Sequence, residues 1–187
     1  TLTTLCFATL DASAKWLIQT LPVLEVVWLR FLFHTLLTSA LLSPVYGRDM
    51  LRLRRPGLHL LRALMLASMT ALNFWALQYL QLAETGAIQF SVPLLIALFS
   101  AWWLGERLDW KRWLAILVGF AGVLLVIRPG TQGFHPAILL SVLNAVLYAG
   151  FNMLARSMAA TESPAATQLM SALGATVVLA PFALAQW

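Results

Sequence analysis

The chain has 187 residues, of which 61% are apolar and only 10% charged, with a formal net charge of +5. A soluble domain carries about 25% charged residues, and a single core cannot absorb this much apolar surface, so lipid has to cover the remainder. The surplus cations fall between apolar runs and form no basic stripe for nucleic acid, and the lone Cys6 rules out an internal disulfide or a multi-cysteine metal site.

A bilayer-spanning helix needs about 20 mostly apolar residues. Seven segments qualify: 1–20, 24–42, 58–80, 85–104, 113–127, 136–155 and 164–185. An open sheet would leave its backbone unsatisfied in lipid, so each segment is read as helix. The expected fold is all-α, a polytopic membrane helical bundle. The first segment holds Asp11 and Lys15 and no small-residue cleavage site follows it, which argues against a signal peptide. The chain begins without Met and stops at Trp187 within or just after an apolar run, so both ends are expected to be cut from a longer protein.

In chain order, the first segment places Asp11 and Lys15 four residues apart on one face. A charge near the centre of a membrane helix costs at least about 2.5–3.5 kcal/mol, so it faces protein or water. The two residues either neutralise each other or bring one of them to a substrate or a coupling proton. Arg30 and His34 repeat the spacing in the second segment, where a structural tie to neighbouring helices is the favoured reading. The third segment carries Asn73, either interhelical glue or a cavity donor, with Trp75 and Tyr79 as interface anchors or binding aromatics.

In the fourth segment Gln89 precedes Pro93 by four residues and lies over the carbonyl that proline leaves without a donor. Such carbonyls line cavities in transporters; a simple packing kink is the alternative. Glu106, beside Arg107, reads as interface structure. Ala115, Gly119 and Gly122 set small residues along one face of the fifth segment, which permits close helix packing. Asn144, Tyr148 and Asn152 form one polar stripe on the sixth, facing the bundle interior as cavity lining.

Orientation follows from the loops. Arg48, Arg52, Arg54 and Arg55 occupy the second loop with Arg62 just beyond, Arg107, Lys111 and Arg112 the fourth, and Arg156 opens the sixth, whereas the alternate loops offer only Arg128. By the positive-inside rule the dense loops and the N-terminus are cytoplasmic. Trp102, Trp103, Trp110 and Trp113 bracket one such loop as interface anchors.

A weak internal repeat is also present. Asp11-x3-Lys15-x6-Pro22 aligns with Asn152-x3-Arg156-x7-Pro164, and Ala8 with Ala149, after one inserted residue. Five segments separate the starts of the two units, and an odd number inverts orientation. Asp11 and Asn152 become counterparts, and Asp11, Gln89, Tyr148 and Asn152 are expected to converge on one cavity.

The stretch 85–130, with Pro93, the Leu104-Gly105-Glu106 exit, Gly119-x-x-Gly122 and the ending Arg128-Pro129-Gly130, closely resembles the end of the EamA-type repeat of the drug/metabolite transporter superfamily. Asp11-x3-Lys15 and Trp28-x-Arg30-x3-His34 are similar to it as well, and most like the branch of bacterial riboflavin and S-adenosylmethionine uptake proteins. The resemblance implies inverted five-helix repeats, the first complete over 1–130 and the second cut after two helices over 131–187. It implies a secondary carrier of a small polar or amphipathic metabolite, working by alternating access in a bacterial inner membrane. The expected partners are membrane lipid, a small-molecule substrate, a proton and, as one assembly, a second copy in a homodimer; no cofactor is expected. No Gly-x-Ser-x-Gly elbow, His-Glu-x-x-His or phosphate loop points to catalysis. The alternatives are a membrane-embedded enzyme acting on lipid-like substrates, which calls for acidic or histidine clusters at the loop edges, and a receptor or scaffold, which calls for an outside N-terminus.

Overall fold

Each apolar run closes its backbone hydrogen bonds along itself, and a computed structural model describes the outcome for residues 2–47, 55–105, 108–127, 135–159 and 161–185. The helices in order are α1 (Leu2–Leu17), α2 (Val23–Tyr46), α3 (Pro56–Tyr79), α4 (Leu82–Gln89), α5 (Val92–Leu104), α6 (Trp110–Ile127), α7 (Ile138–Met158) and α8 (Pro164–Leu184). No strand occurs among the described residues.

The punctuation is local chemistry. Proline in the first turn starts α3, α5 and α8, where its missing N–H has no intrahelical partner to lose. Ser163 caps α8 by accepting a hydrogen bond from the Ala166 N–H at 3.1 Å. Gln81 and Glu84 form a capping box at α4, and Gly105, at φ +65°, follows α5 in the left-handed region.

Val23–Pro44, Pro56–Tyr79, Leu82–Trp102, Ile138–Met158 and Pro164–Leu184 are each long and apolar enough to cross a membrane, the third spanning α4 and α5 together. The chain is a multi-pass helical membrane protein. The helices depart from the sequence reading at several ends, α2 running on to Tyr46, α6 starting at Trp110 and α7 ending at Met158, and two departures have a local cause. The first helix stops at Leu17 and residues 18–20 form a turn, because Pro22 disfavours helical backbone at Leu21. The fourth segment begins at Leu82 and is broken in two.

The third helix is the hub. It packs most extensively on α7 and α8 and also touches α1, α2 and α4. Close approach to α8 relies on Gly174, where a Cβ would stand only 2.6 Å from the Ala63 Cβ. One core joins Ala14 of α1 and Ile18 of the turn after it, Val27 and Phe31 of α2, Phe74 and Leu77 of α3, and Ala175 and Leu179 of α8. A second joins Ala76 and Leu80 to Ile88, Val92, Ala145 and Ala149. Between α2 and α8 runs a polar seam: Trp28 Nε1 donates to the Thr176 carbonyl at 3.1 Å, and the Thr35 and Thr176 hydroxyls meet at 3.1 Å.

Helix α6 sits at the margin on α4 and α5, with Leu117, Val118 and Leu125 exposed. Of its three small residues, Gly119 meets the Leu94 side chain, whereas nothing lies within 4 Å of a Cβ placed on Gly122. Ala115 is exposed. Glu106, Arg107, Arg128 and the arginines at 48, 52 and 54 lie outside the described residues.

Candidate functional site

Four features bring polar groups into this apolar bundle. The first is at the outlet of α1. Lys15 Nζ donates to the Leu80 carbonyl at 2.6 Å, capping the C-terminal end of α3, where a helix presents unpaired carbonyls and partial negative charge. Lys15 is therefore committed to α3, and Asp11, one turn back and half-buried, feels the charge of Arg30 on α2. The Arg30 guanidinium lies over the rings of Phe31 and Phe74, 5.8 and 5.6 Å from their centroids. Beside it opens a cavity of about 300 Å³ lined by Leu10, Ser13, Leu17, Val26, Arg30 and Phe74.

The second feature is the break at Phe90 and Ser91. Pro93 has no N–H for the Gln89 carbonyl, and the Leu94 N–H turns to Ser91 at 3.0 Å rather than to Phe90. Two successive carbonyls, Gln89 and Phe90, are thereby released from the helical ladder. Ser91 tightens the turn by donating its hydroxyl to the Ile88 carbonyl at 2.6 Å. Gln89 itself is half-buried and Pro93 exposed. Ile88 and Val92, on either side of the break, pack against Ala145 and Ala149 of α7.

The third is the stripe on α7. Asn144 is buried and Tyr148 is 37% exposed. Asn152 bends back on its own helix, its Nδ2 donating to the Tyr148 carbonyl at 2.7 Å. Tyr148 stacks on Phe151 with centroids 6.4 Å apart. Asn73 is half-buried on α3.

The fourth lies where the start of α3 meets the ends of α7 and α8. Glu162 accepts from the Arg55 N–H at 3.0 Å, and its other oxygen is 3.4 Å from His59 Nε2. That His59 contact meets an ion-pair distance without hydrogen-bond geometry, and both ring nitrogens lack a hydrogen-bond partner. One turn on, Arg62 Nε donates to Ser171 Oγ at 2.9 Å, Ser171 donates to the Thr167 carbonyl at 2.7 Å, and the guanidinium covers the Phe151 ring at 4.2 Å. Arg62 Nη1 is buried without a partner.

The sequence-predicted residues thus fall into separate groups. Asp11, Arg30 and Lys15 cluster around α1; Gln89 and Pro93 form the break; Asn144, Tyr148 and Asn152 share α7. His34 accepts from Gln168 Nε2 at 3.0 Å and ties α2 to α8. No described hydrogen bond links Asp11, Gln89 and Tyr148 to one another. The buried His59, Arg62, Glu162 and Ser171 cluster was missed from sequence. Its signal was the spacing His59-x2-Arg62 inside an apolar run, absorbed there into the basic flank.

Chains similar to this one carry the names of carriers. The S-adenosylmethionine uptake transporter of Rickettsia bellii (strain RML369-C) is 31% identical over 181 residues, 95% of this chain and 60% of that protein. The riboflavin transporter of Vibrio cholerae is 29% identical over 163 residues, 86% of this chain and 55% of that one. The pseudopaline exporter CntI of Pseudomonas aeruginosa is 30% identical over 155 residues, 82% and 54% respectively. The chain therefore spans about 60% of the length of the first of these relatives. No solved structure matches it significantly. The profile of the EamA-like transporter family covers residues 1–128, with the broken helix and the charged first helix both inside it, and the chain belongs to that family.

Proposed function

We propose that this chain is the larger part of a secondary carrier for a small polar or amphipathic metabolite, working by alternating access rather than by catalysis. The observation that carries the reading is the break at Phe90–Ser91. Releasing two backbone carbonyls inside a membrane-spanning segment is tolerated only where protein or a water-filled cavity receives them, and discontinuous helices of this kind build substrate sites. The buried Asn144 on the adjoining α7, with Asp11 on α1 and Arg30 on α2, adds polar groups inside the apolar bundle that need protein or water around them.

The same reading assigns seven spanning segments with the N-terminus cytoplasmic in a bacterial inner membrane. It divides the chain into a first five-helix unit, 1–130, and the opening of an inverted second, 131–187. Substrates of the S-adenosylmethionine and riboflavin kind are the first to test, because relatives carry those names.

The experiment is counterflow in proteoliposomes holding the full-length protein, preloaded with unlabelled S-adenosylmethionine or riboflavin and offered the labelled compound outside. Accumulation above protein-free vesicles for either compound supports the reading; flux of neither removes this substrate class. Orientation is read separately from a Cys6-free background with single cysteines at Gln81 and Lys111. An impermeant thiol reagent added outside cells should label the first and spare the second, and the reverse pattern overturns the topology.

A further inference from the structure

The carrier reading leaves the buried cluster at the start of α3 without a role. His59 is 4% exposed, Glu162 6% and Arg62 8%, so the group is closed to water. Its members come from distant parts of the chain: His59 and Arg62 stand in the first two turns of α3, Glu162 in the turn between α7 and α8, and Ser171 in α8. Other titratable groups approach it from few directions among the described residues. Arg55, at the N-cap of α3, gives its N–H to Glu162 Oε1 at 3.0 Å, and Arg156 in the last turn of α7 is exposed. Helix α8 carries no charged residue. The nearby end of α2 offers Tyr46, and His34 farther up α2 is held by Gln168. Lys15 of α1 and Glu84 of α4 belong to the far end of α3, where Lys15 meets Leu80.

A structural staple is the ordinary explanation for a buried polar cluster, but this one is incompletely made. Both ring nitrogens of His59 and Nη1 of Arg62 are buried without a hydrogen-bond partner. Each forgoes the water it would bind in the open, so parting the helices relieves a penalty that closing them imposes. His59 Nε2 nevertheless faces Glu162 Oε2 at 3.4 Å. A neutral imidazole carries one N–H and one lone pair, and a proton added to the ring makes both nitrogens donors. That proton turns the near contact into a charge-assisted bond to the carboxylate, and histidine is the side chain whose charge ordinarily changes between about pH 5 and 8.

We propose that His59 and Glu162 form a proton-operated latch between α3 and the α7–α8 turn, tied when His59 is protonated and loosened when it is neutral. The proposal rests on the carrier reading, in which α3 belongs to the first unit, the α7–α8 turn to the second, and both ends of the latch face the cytoplasm. Arg62 holds the next turn of the same seam through Ser171 and Phe151; its charge opposes a proton on His59, and the Glu162 carboxylate offsets it. The cavity of about 300 Å³ lies toward the opposite end of the bundle, lined by Leu21 and Val26 near the start of α2 and by Phe74 late in α3. One end is thus closed around buried polar groups while the other holds a cavity, the asymmetry that alternating access requires. Opening inward has to part the seam, so an acidic cytoplasmic face retards that step and an alkaline one eases it.

The test uses the purified full-length protein, its native cysteines replaced, in vesicles with the same pH on both faces. Spin labels go on Leu60 of α3 and on Ala159 just after α7, both exposed. Double electron–electron resonance gives their distance distribution without substrate, so a failure to carry S-adenosylmethionine or riboflavin leaves this outcome readable. Lowering the pH from about 8 to about 5.5, across the range in which histidine charges, should raise the ratio of short to long distances roughly tenfold, equal to about 1.4 kcal/mol. His59→Gln and Glu162→Gln should each abolish that response, and either serves if the other folds poorly. His34→Gln and His135→Gln, at the chain's other two histidines, should retain it. A wild-type distribution that does not change with pH overturns the proposal, as does a response that survives His59→Gln or is lost equally in His135→Gln.

Discussion

Substituting Gly174 by alanine tests whether the seam between α3 and α8 is as tight as the backbone geometry requires. The added Cβ would stand 2.6 Å from the Ala63 Cβ, whereas carbon atoms settle about 3.5–4.0 Å apart. Neither atom can rotate away, because each is fixed by its backbone, so the helix axes must part by about 1 Å. Overpacking of this kind costs about 1–3 kcal/mol, offset by about 0.8–1.0 kcal/mol from the better helix propensity of alanine. The expected net loss is about 0–2 kcal/mol. In Ala63→Gly/Gly174→Ala the clash is gone and the propensity terms cancel, so stability should return to near wild type, with a coupling of about 1–3 kcal/mol. Thermal unfolding of the full-length protein in mild detergent, followed by the fraction that stays monodisperse, measures all four corners of the cycle. A coupling energy near zero between the two positions refutes the reasoning.

Four further outcomes are expected. Lys15→Met removes the charge-assisted bond to the Leu80 carbonyl and should lower stability by about 1.5–3 kcal/mol, while Lys15→Arg keeps most of it; the same unfolding assay decides. Ser171→Ala strips the buried Arg62 Nε of its acceptor and should cost about 1–3 kcal/mol, whereas a neutral result would mean water replaces the hydroxyl. Pro93→Ala restores a donor for the Gln89 carbonyl and should preserve or raise melting temperature while reducing counterflow; unchanged transport would return the break to a packing role. Asp11→Asn should abolish uptake driven by a pH gradient yet leave counterflow largely intact, and equal loss of both assigns Asp11 to structure or substrate.

Much of the bundle was legible because lipid imposes one rule on every span: a long apolar run must be helical. That rule located the helices of α2, α3, α7 and α8 closely, and Pro93 marked the break between α4 and α5. It could not foretell partners. Lys15 and Asp11 share a face and read as a pair, yet a carbonyl 65 positions away competes for the lysine, and sequence spacing carries no trace of such a contact. By position Arg62 reads as one more loop cation, although burial between α7 and α8 gives it Ser171 and Phe151 instead. The small residues of α6 invited a packing reading that holds at Gly119, against Leu94, because small side chains permit close approach without requiring it. The polar stripe of α7 was legible as a periodicity, but Asn152 satisfies itself on the Tyr148 carbonyl, an option any amide has within its own helix.

The bond from Lys15 to Leu80 also constrains how the protein is made. Helix α1 is synthesised before α2 and α3, with Asp11 in its body and Lys15 in its last turn; a charge at the centre of a membrane helix costs about 2.5–3.5 kcal/mol. The acceptor for Lys15 lies 65 residues later. At about 5–20 residues per second, that wait lasts roughly three to thirteen seconds. The contact that ties α1 to α3 can therefore form only once α3 is complete.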